Sequence, residues 1–183
     1  MRLFLALPLE DSAREYLRGI LASCRKAQPS LKWVGPENLH ITLLFFGEVE
    51  PQRVPLLMQT LETLQRPLIE PFSLRFQNYG VFPPAGNPRV LYTGITRGME
   101  SLQALYGFCA SSLRGFYRPE NGRSYTPHLT LARVRFGNEP PRGFLETFPP
   151  CTQESRVDRL VLYRSVTRPE GAQYHEEWVR FLP

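Results

Sequence analysis

Two short motifs of the form His-apolar-Thr-Leu carry the side chains best suited to chemistry in this sequence. They pair His40 with Thr42 and His128 with Thr130, and the histidines lie 88 residues apart in a chain of 183. The apolar and β-branched residues in each motif predict a strand. Residues i and i+2 of a strand share one face, so we expect each histidine to point the same way as its threonine.

These side chains are suited to hydrolysis of a phosphodiester, and of a cyclic phosphate in particular. Because an imidazole titrates near a pH of about 6.5, one histidine can remove a proton from water while the other protonates a leaving sugar oxygen. Histidines on opposite sides of one phosphorus atom would allow in-line attack. Threonine hydroxyls can donate hydrogen bonds to the non-bridging oxygens.

Arg133 could add a positive charge to the second motif, but its place in the strand is unfavourable. It lies three residues after Thr130, and on an ideal strand this odd offset puts it on the opposite face. A β-bulge, or the end of the strand, would be needed to turn Arg133 toward the groove. There its planar guanidinium could hold a phosphate or a base.

The simplest alternative is that both histidines are buried residues with structural hydrogen bonds. One H-x-T in a strand occurs often by chance, but two copies half a chain apart, which hold two of the three histidines, favour a shared site. The third, His175, is expected to be structural or exposed. The sequence has no H-E-x-x-H, C-x-x-C, Walker A or Rossmann glycine pattern, so no metal site and no cofactor is predicted.

The elements that must position the motifs recur in the same order in both halves of the chain. Each half offers a helix, a loop and a strand that begins with the motif, which indicates an internal duplication. Apolar residues at a 3.6-residue period predict helices from residue 11 to Pro29 and at 54–64 and 102–113, with a short helical turn at 144–148. Apolar runs bounded by glycine and proline predict strands at 1–9, 39–46, 72–82, 89–95, 127–134, 157–166 and 174–181.

Strands mixed with helices, without strict alternation, predict an α+β fold and not a doubly wound sheet. We expect a single domain over residues 1–183, because no linker or low-complexity segment interrupts the chain. If a pseudo-twofold axis relates the halves, the polar faces of the two motif strands can line one groove. Their apolar faces would then pack on the helices.

Composition favours an anionic partner and a cytoplasmic location. The formal net charge of +5 is compatible with RNA or a phosphate ester, and also with an ordinary basic protein. Cys24, Cys109 and Cys151 are odd in number and widely spaced, which argues against a disulfide framework. No apolar run approaches the length of a membrane span, and residues 1–9 are expected to be a strand of the mature protein, not a signal peptide.

A loop over residues 115–126 mixes basic and aromatic side chains. The residues in or beside it are Arg114, Phe116, Tyr117, Arg118, Arg123 and Tyr125. Arginines interleaved with aromatic rings can hold phosphates and stack bases, which favours a long substrate. A solvated surface loop is the alternative interpretation.

The motif segments 39–43 (LHITL) and 127–133 (PHLTLAR) resemble the paired motifs of the 2H phosphoesterases. The chain is most similar to the bacterial and archaeal RNA 2′,3′-cyclic phosphodiesterases, also called 2′-5′ RNA ligases. The likeness spans nearly the whole chain. It also includes RLFLAL at 2–7, Trp33-Val34, Phe82-Pro83, RVLY at 89–92, LYRS at 162–165, Gly171 and Tyr174.

The resemblance implies a bilobal, duplicated fold in which two antiparallel sheets face a central groove, with helices outside and pseudo-twofold symmetry. It implies hydrolysis of RNA 2′,3′-cyclic phosphate ends to 2′-phosphomonoesters without a metal or other cofactor, and reversible 2′-5′ ligation as a secondary activity. Its implied substrates are RNAs with such ends, tRNA fragments among them, and it implies a monomer without membrane contact.

The resemblance also implies a role for each motif residue. His40 is the general acid that protonates the 3′ oxygen, and His128 is the general base that activates water. Thr42 and Thr130 bind phosphate, and Arg133 contacts the substrate. The sequence alone does not decide which imidazole plays which part.

Two other functions stay open at this point. A 2H phosphodiesterase could act on small cyclic nucleotides or on 2′-5′ oligoadenylates, and an RNA-binding module could keep a basic groove without catalysis. The complete His-Thr pair in both motifs argues against the binding module. Rates on mononucleotide and RNA substrates would separate the remaining possibilities.

Overall fold

The computed structural model describes residues 1–64, 69–84, 86–119, 124–135, 143–168 and 171–183. The helices in these ranges are α1 (Asp11–Ala27), α2 (Val54–Thr63) and α3 (Met99–Ser112). The strands are β1 (Arg2–Pro8), β2 (Lys32–Trp33), β3 (His40–Glu48), β4 (Phe72–Phe82), β5 (Val90–Arg97), β6 (Leu129–Arg133), β7 (Thr152–Val157), β8 (Arg159–Arg168) and β9 (Gly171–Phe181). Short 3₁₀ turns lie at Pro36–Asn38, Pro51–Arg53 and Phe144–Thr147.

The strands form one curled antiparallel sheet that is built from two four-stranded halves. The order across the sheet is β7-β4-β5-β6-β3-β1-β8-β9, and β2 pairs with β6 beside this path. The motif strands β3 and β6 are the innermost strand of each half. They meet through a single residue pair, Ile41 with Leu129. The sheet therefore has a pseudo-twofold arrangement with its centre at that pair.

The helices bury one apolar face each and leave the groove between the motif strands open. The buried residues of α1 are Ala13, Leu17, Leu21 and Cys24, which recur at the 3.6-residue period. Asp11 lies in its first turn and Arg25 in its last, as the helix dipole favours. In α3, Leu102, Leu105 and Cys109 are buried, and this helix contacts β3.

The α+β class and the helices predicted from the sequence are confirmed, with differences at element ends. The strand predicted over 157–166 is β8 (Arg159–Arg168), which begins two residues later because Val157 ends β7 and Asp158 separates the two strands. The strands β2 and β7 were not predicted from the sequence. β7 (TQESRV) is a polar edge strand whose pairing with β4 comes from backbone hydrogen bonds, so it has no run of apolar residues to reveal it.

Cys24, Cys109 and Cys151 are all buried and carry free thiols. None of the helices in the described residues combines the length and the apolar character that a bilayer crossing requires. The turn expected around Pro169 and Glu170 lies outside the described residues.

Candidate active site

The pairing of β3 with β6 brings the two motifs together on one face of the sheet. Ile41 and Leu129 are fully buried partners, and their neighbours on each strand point the other way. Extending this register by one residue sets His40 opposite Thr130 and Thr42 opposite His128. Diagonal neighbours in an antiparallel pair lie about 7–8 Å apart, so the two imidazoles can flank one phosphate group.

Both histidines are held in the same way by the backbone of their own segment. Nδ1 of His40 lies 2.7 Å from the carbonyl oxygen of Asn38, and Nδ1 of His128 lies 2.8 Å from that of Thr126. A carbonyl oxygen only accepts, so each Nδ1 carries a hydrogen and donates it. In the neutral rings, Nε2 is therefore the basic nitrogen.

The two Nε2 atoms differ in their surroundings. Nε2 of His40 lies 3.1 Å from Oγ1 of Thr42, whose hydroxyl donates to it when the ring is neutral. Nε2 of His128 has no hydrogen-bond partner among the residues that the structure describes. With respect to the described residues, the lone pair on Nε2 of His128 is therefore unshared, whereas that on Nε2 of His40 accepts a hydrogen bond from Thr42.

Aromatic side chains surround each imidazole. The ring centroid of Phe4 lies 4.9 Å from that of His40, and Tyr174 meets the same imidazole edge-on at 5.2 Å. Phe82 and Tyr92 meet His128 edge-on at 5.0 and 5.5 Å. These rings fix the orientation of the imidazoles and exclude water from their sides.

Burial has a direct effect on the acidity of both rings. Burial lowers the pKa of His40 to about 4, and the positive charge of Arg133 acts in the same direction, against the hydrogen bond to Asn38. Burial, again with Arg133, also lowers the pKa of His128 below its ordinary value. Both imidazoles are therefore neutral near pH 7 in the unliganded protein.

A cavity of about 330 Å³ collects the predicted site residues. His40, Thr42, His128, Thr130 and Arg133 all line it. The sequence left the orientation of Arg133 dependent on a bulge, and the pairing of β5 with β6 skips Leu131 at this place. The extra residue returns the Arg133 side chain to the face that carries Thr130.

Phe45 also lines this cavity and was missed in the sequence analysis. The pairing of β1 with β3 skips Leu43, so a second bulge turns Phe45 to the face of His40 and Thr42. Its side chain is 44% exposed, and the guanidinium of Arg2 lies 5.2 Å from its ring centroid. Phe45 is five residues after His40, as Arg133 is five residues after His128, and this matched spacing could have revealed it.

The residues of the predicted basic and aromatic loop differ in their positions: some line a cavity, and others already contact protein groups. Tyr117, Arg118 and Tyr125 line a second cavity of about 760 Å³ that shares Thr42, Phe45 and His128 with the first. The tyrosines are already engaged, because Tyr125 stacks on Tyr106 at 4.0 Å and donates a hydrogen bond to the carbonyl oxygen of Thr42. Phe116 packs against Arg53. Arg123 lies outside the described residues.

The described residues contain no cluster of three histidine, cysteine, aspartate or glutamate side chains placed as metal ligands. The predicted independence from metals stays a prediction. His175 is exposed on β9.

Comparisons with known proteins extend the similarity across the chain. The family model described as "LigT like Phosphoesterase" matches residues 7–92. An Archaeoglobus fulgidus protein named RNA 2′,3′-cyclic phosphodiesterase is 34% identical over 179 residues, which cover 96% of this chain and 97% of that relative. A Thermotoga maritima protein of the same name is 30% identical and covers 95% of this chain and 91% of the relative.

Solved structures have the same fold. The crystal structure of a Thermus thermophilus protein, TT0787, matches with a TM-score of 0.77 and 29% identity, covering 100% of this chain and 98% of that chain. Apo E. coli LigT matches with a TM-score of 0.75 at 23% identity, covering 99% and 96%. From its sequence relatives and its fold, the chain belongs to the LigT-like 2H phosphoesterases, the enzyme family of the proteins named RNA 2′,3′-cyclic phosphodiesterase.

Proposed function

We propose that the chain hydrolyses RNA 2′,3′-cyclic phosphate ends to 2′-phosphomonoesters, with His40 as general acid and His128 as general base. The pairing of Ile41 with Leu129 carries this proposal, because it sets two imidazoles and two hydroxyls around one cavity. The names of the relatives supply the substrate class. All five predicted site residues line one cavity of a single chain, and we propose that this chain is one domain that acts as a cytoplasmic monomer.

The proposed reaction is a single in-line displacement. Nε2 of His128 takes a proton from a water molecule as its oxygen attacks phosphorus. The bond from phosphorus to the 3′ oxygen breaks, and that oxygen receives the proton from Nε2 of His40. The product has a free 3′-hydroxyl and a 2′-phosphate. Exchange of protons with solvent resets the rings, so the two imidazoles supply both proton transfers without a metal.

The surroundings of the two Nε2 atoms support this division of roles. The free lone pair of His128 is available to a water molecule, as a general base requires. His40 must carry a second proton to act as the acid, although its pKa is about 4 in the unliganded protein. A bound phosphate brings a negative charge close to this ring, which raises the pKa of His40 in the complex.

The residues beside the histidines provide the binding contacts in this proposal. The hydroxyls of Thr42 and Thr130 donate hydrogen bonds to the non-bridging oxygens, and Arg133 neutralises the phosphate charge. The exposed ring of Phe45 offers an aromatic face for the terminal base. RNA fragments that end in a cyclic phosphate, including those from tRNA, would be substrates.

Ligation follows from the same chemistry with a different nucleophile. When the 5′-hydroxyl of a second RNA replaces water, His128 takes its proton and the attack forms a 2′-5′ phosphodiester. The bond to the 3′ oxygen again breaks, and His40 protonates that oxygen. We propose this as a secondary activity, detected as a 2′-5′-linked product that resists nucleases specific for 3′-5′ bonds.

Product analysis with an RNA that ends in a 2′,3′-cyclic phosphate tests the main proposal. We expect a 2′-phosphate product, and we expect His40→Ala and His128→Ala each to lower kcat by about 10²–10⁴-fold, the usual contribution of general acid–base catalysis. Circular dichroism would verify that both variants fold, and a chelator should leave the rate unchanged. Wild-type rates in both variants, or a 3′-phosphate product, would contradict the mechanism.

A further inference from the structure

A third cavity, of about 680 Å³, adjoins the active-site cavity on the side of Arg133. The two cavities share Arg133, Asn38 and Tyr174 among their lining residues. Arg25, Lys32 and Arg133 give this third cavity three positive charges, against a single carboxylate from Glu37. We call it the cationic cavity.

Two of these charges face each other directly. Lys32 of β2 and Arg133 of β6 are paired residues in an antiparallel ladder, so their side chains leave the sheet on the same face. Like charges in directly opposed positions destabilise a sheet. None of the carboxylates that the structure describes forms an ion pair with Lys32, Arg133 or Arg25. This arrangement costs stability in the free protein and favours an anion.

The opposite side of the active site has a different character. The cavity that contains Tyr117 and Tyr125 is lined by five phenylalanine and tyrosine rings and two prolines, and its arginines are Arg89 and Arg118. Phe45 opens toward this aromatic side, whereas its pseudo-twofold counterpart Arg133 opens toward the cationic side. The two ends of the groove therefore differ in chemistry, and they suit different parts of a nucleotide.

We propose that the cationic cavity binds backbone phosphates of the RNA strand on the 5′ side of the cyclic end. This inference rests on the proposed function and adds the path of the strand. With the cyclic phosphate between the histidines and the terminal base toward Phe45, the 5′ oxygen of the terminal ribose leads away past Arg133. Lys32 and Arg25 then contact the next phosphates, so RNA is preferred to a mononucleotide.

The test compares a nucleoside 2′,3′-cyclic monophosphate with a short oligoribonucleotide that ends in the same group. We expect the double variant Arg25→Gln/Lys32→Gln to lower kcat/KM for the oligonucleotide by about tenfold or more and to leave mononucleotide turnover unchanged. Because two phosphate contacts are lost, the slope of log kcat/KM against log salt should become shallower by about 1.4 for the oligonucleotide. The control Arg156→Gln, on the edge strand β7, should leave kcat/KM unchanged for both substrates.

The outcomes separate this inference from the proposed function. Equal losses on both substrates, or no loss on the oligonucleotide, would overturn the cationic cavity as the RNA path. If Arg118→Gln lost the preference for the oligonucleotide and the double variant kept it, the RNA strand would lie on the aromatic side. This result would also overturn the cationic cavity as the RNA path. If wild-type protein turned over neither substrate, the proposed function itself would fail. In Lys32→Gln alone, relief of the opposed charges should leave the melting temperature unchanged or higher.

Discussion

At the scale of single residues, the hydrogen bonds at Nδ1 determine what each imidazole can do. Because Asn38 and Thr126 accept through carbonyl oxygens, the Nδ1 hydrogen stays in place whether the ring is neutral or charged. In the proposed mechanism, proton transfer is therefore confined to Nε2 of each ring. Neither ring has to rotate or change tautomer during a catalytic cycle, so the groups are organised before the substrate arrives.

Arg133 allows a prediction at this scale, because it lowers the pKa of both imidazoles and is proposed to bind the substrate phosphate. Arg133→Gln should weaken binding of inorganic phosphate by about 10–100-fold, since a hydrogen bond to a charged group contributes about 1.5–3 kcal/mol. The lost positive charge should also raise the pKa of both His40 and His128. Isothermal titration calorimetry measures the first effect, and NMR titration of the imidazole signals measures the second.

Arg133→Lys serves as the matched control, because it keeps the charge and removes the planar fork. Its imidazole titrations should stay close to those of the wild type, while phosphate binding weakens to an intermediate degree. Unchanged phosphate affinity in Arg133→Gln would show that this side chain does not contact the reacting group.

At the scale of elements, the two bulges show what the sequence could and could not reveal. The motif strands and the helices follow from residue periodicity, and the face shared by His40 and Thr42 follows from strand geometry. The orientation of Phe45 does not follow from strand geometry, because the alternation of an ideal strand places Phe45 on the face opposite His40. Only the skipped pairing at Leu43 corrects this. Bulges depend on the partner strand, so a single strand's pattern does not contain them.

The connection between β5 and α3 offers a prediction at the element scale. Gly98 is the only residue between the strand and the helix, and it has a φ of 82°. A Cβ atom there would overlap the carbonyl oxygen of Ser73. Gly98→Ala should therefore lower the free energy of unfolding by roughly 2–4 kcal/mol, from the left-handed backbone and the clash together. Urea denaturation measures this change.

Gly107 provides the matched control in the same helix. It lies inside α3, and a Cβ atom added to it would meet no heavy atom within 4 Å, so alanine adds helix propensity without a clash. Gly107→Ala should raise the free energy of unfolding by roughly 0.5–1 kcal/mol. If both alanine variants were equally stable, neither the positive φ of Gly98 nor the contact with Ser73 would require glycine at this position.

At the scale of the whole molecule, a nearly symmetric frame carries an asymmetric groove. Each half contributes a motif strand, a bulge and a residue five positions after its histidine. In one half that residue is an aromatic ring, and in the other it is a guanidinium. The symmetry brings two equivalent imidazoles to one cavity, and in our proposal the departure from symmetry gives the bound RNA strand its direction. The single residue pair between β3 and β6 cannot be predicted from the sequence, because one pair produces no periodic pattern of residues.

The neutral, partly buried His40 links the active site to the stability of the whole fold. The pKa of His40 is about 4 in the folded protein and about 6.5 in the unfolded chain, so the unfolded chain binds more protons between these values. The contribution of His40 to stability is therefore lost as the pH falls from about 6.5 toward 4. We expect His40→Gln to flatten the dependence of the unfolding free energy on pH by up to about 1.4 kcal/mol per pH unit in this window.

Urea titrations between about pH 4.7 and 6.5 would measure this slope, with the exposed His175→Gln as the matched control. Glu154, whose pKa Arg75 holds below its usual value, is present in the wild type and in both variants, so its contribution to the slope cancels in the comparison. His128 also has a lowered pKa, so part of the wild-type slope should remain in His40→Gln. Parallel curves for wild type and His40→Gln would mean that the imidazole is not desolvated in the fold. The neutral resting state on which the proposed acid–base cycle depends would then be lost as well.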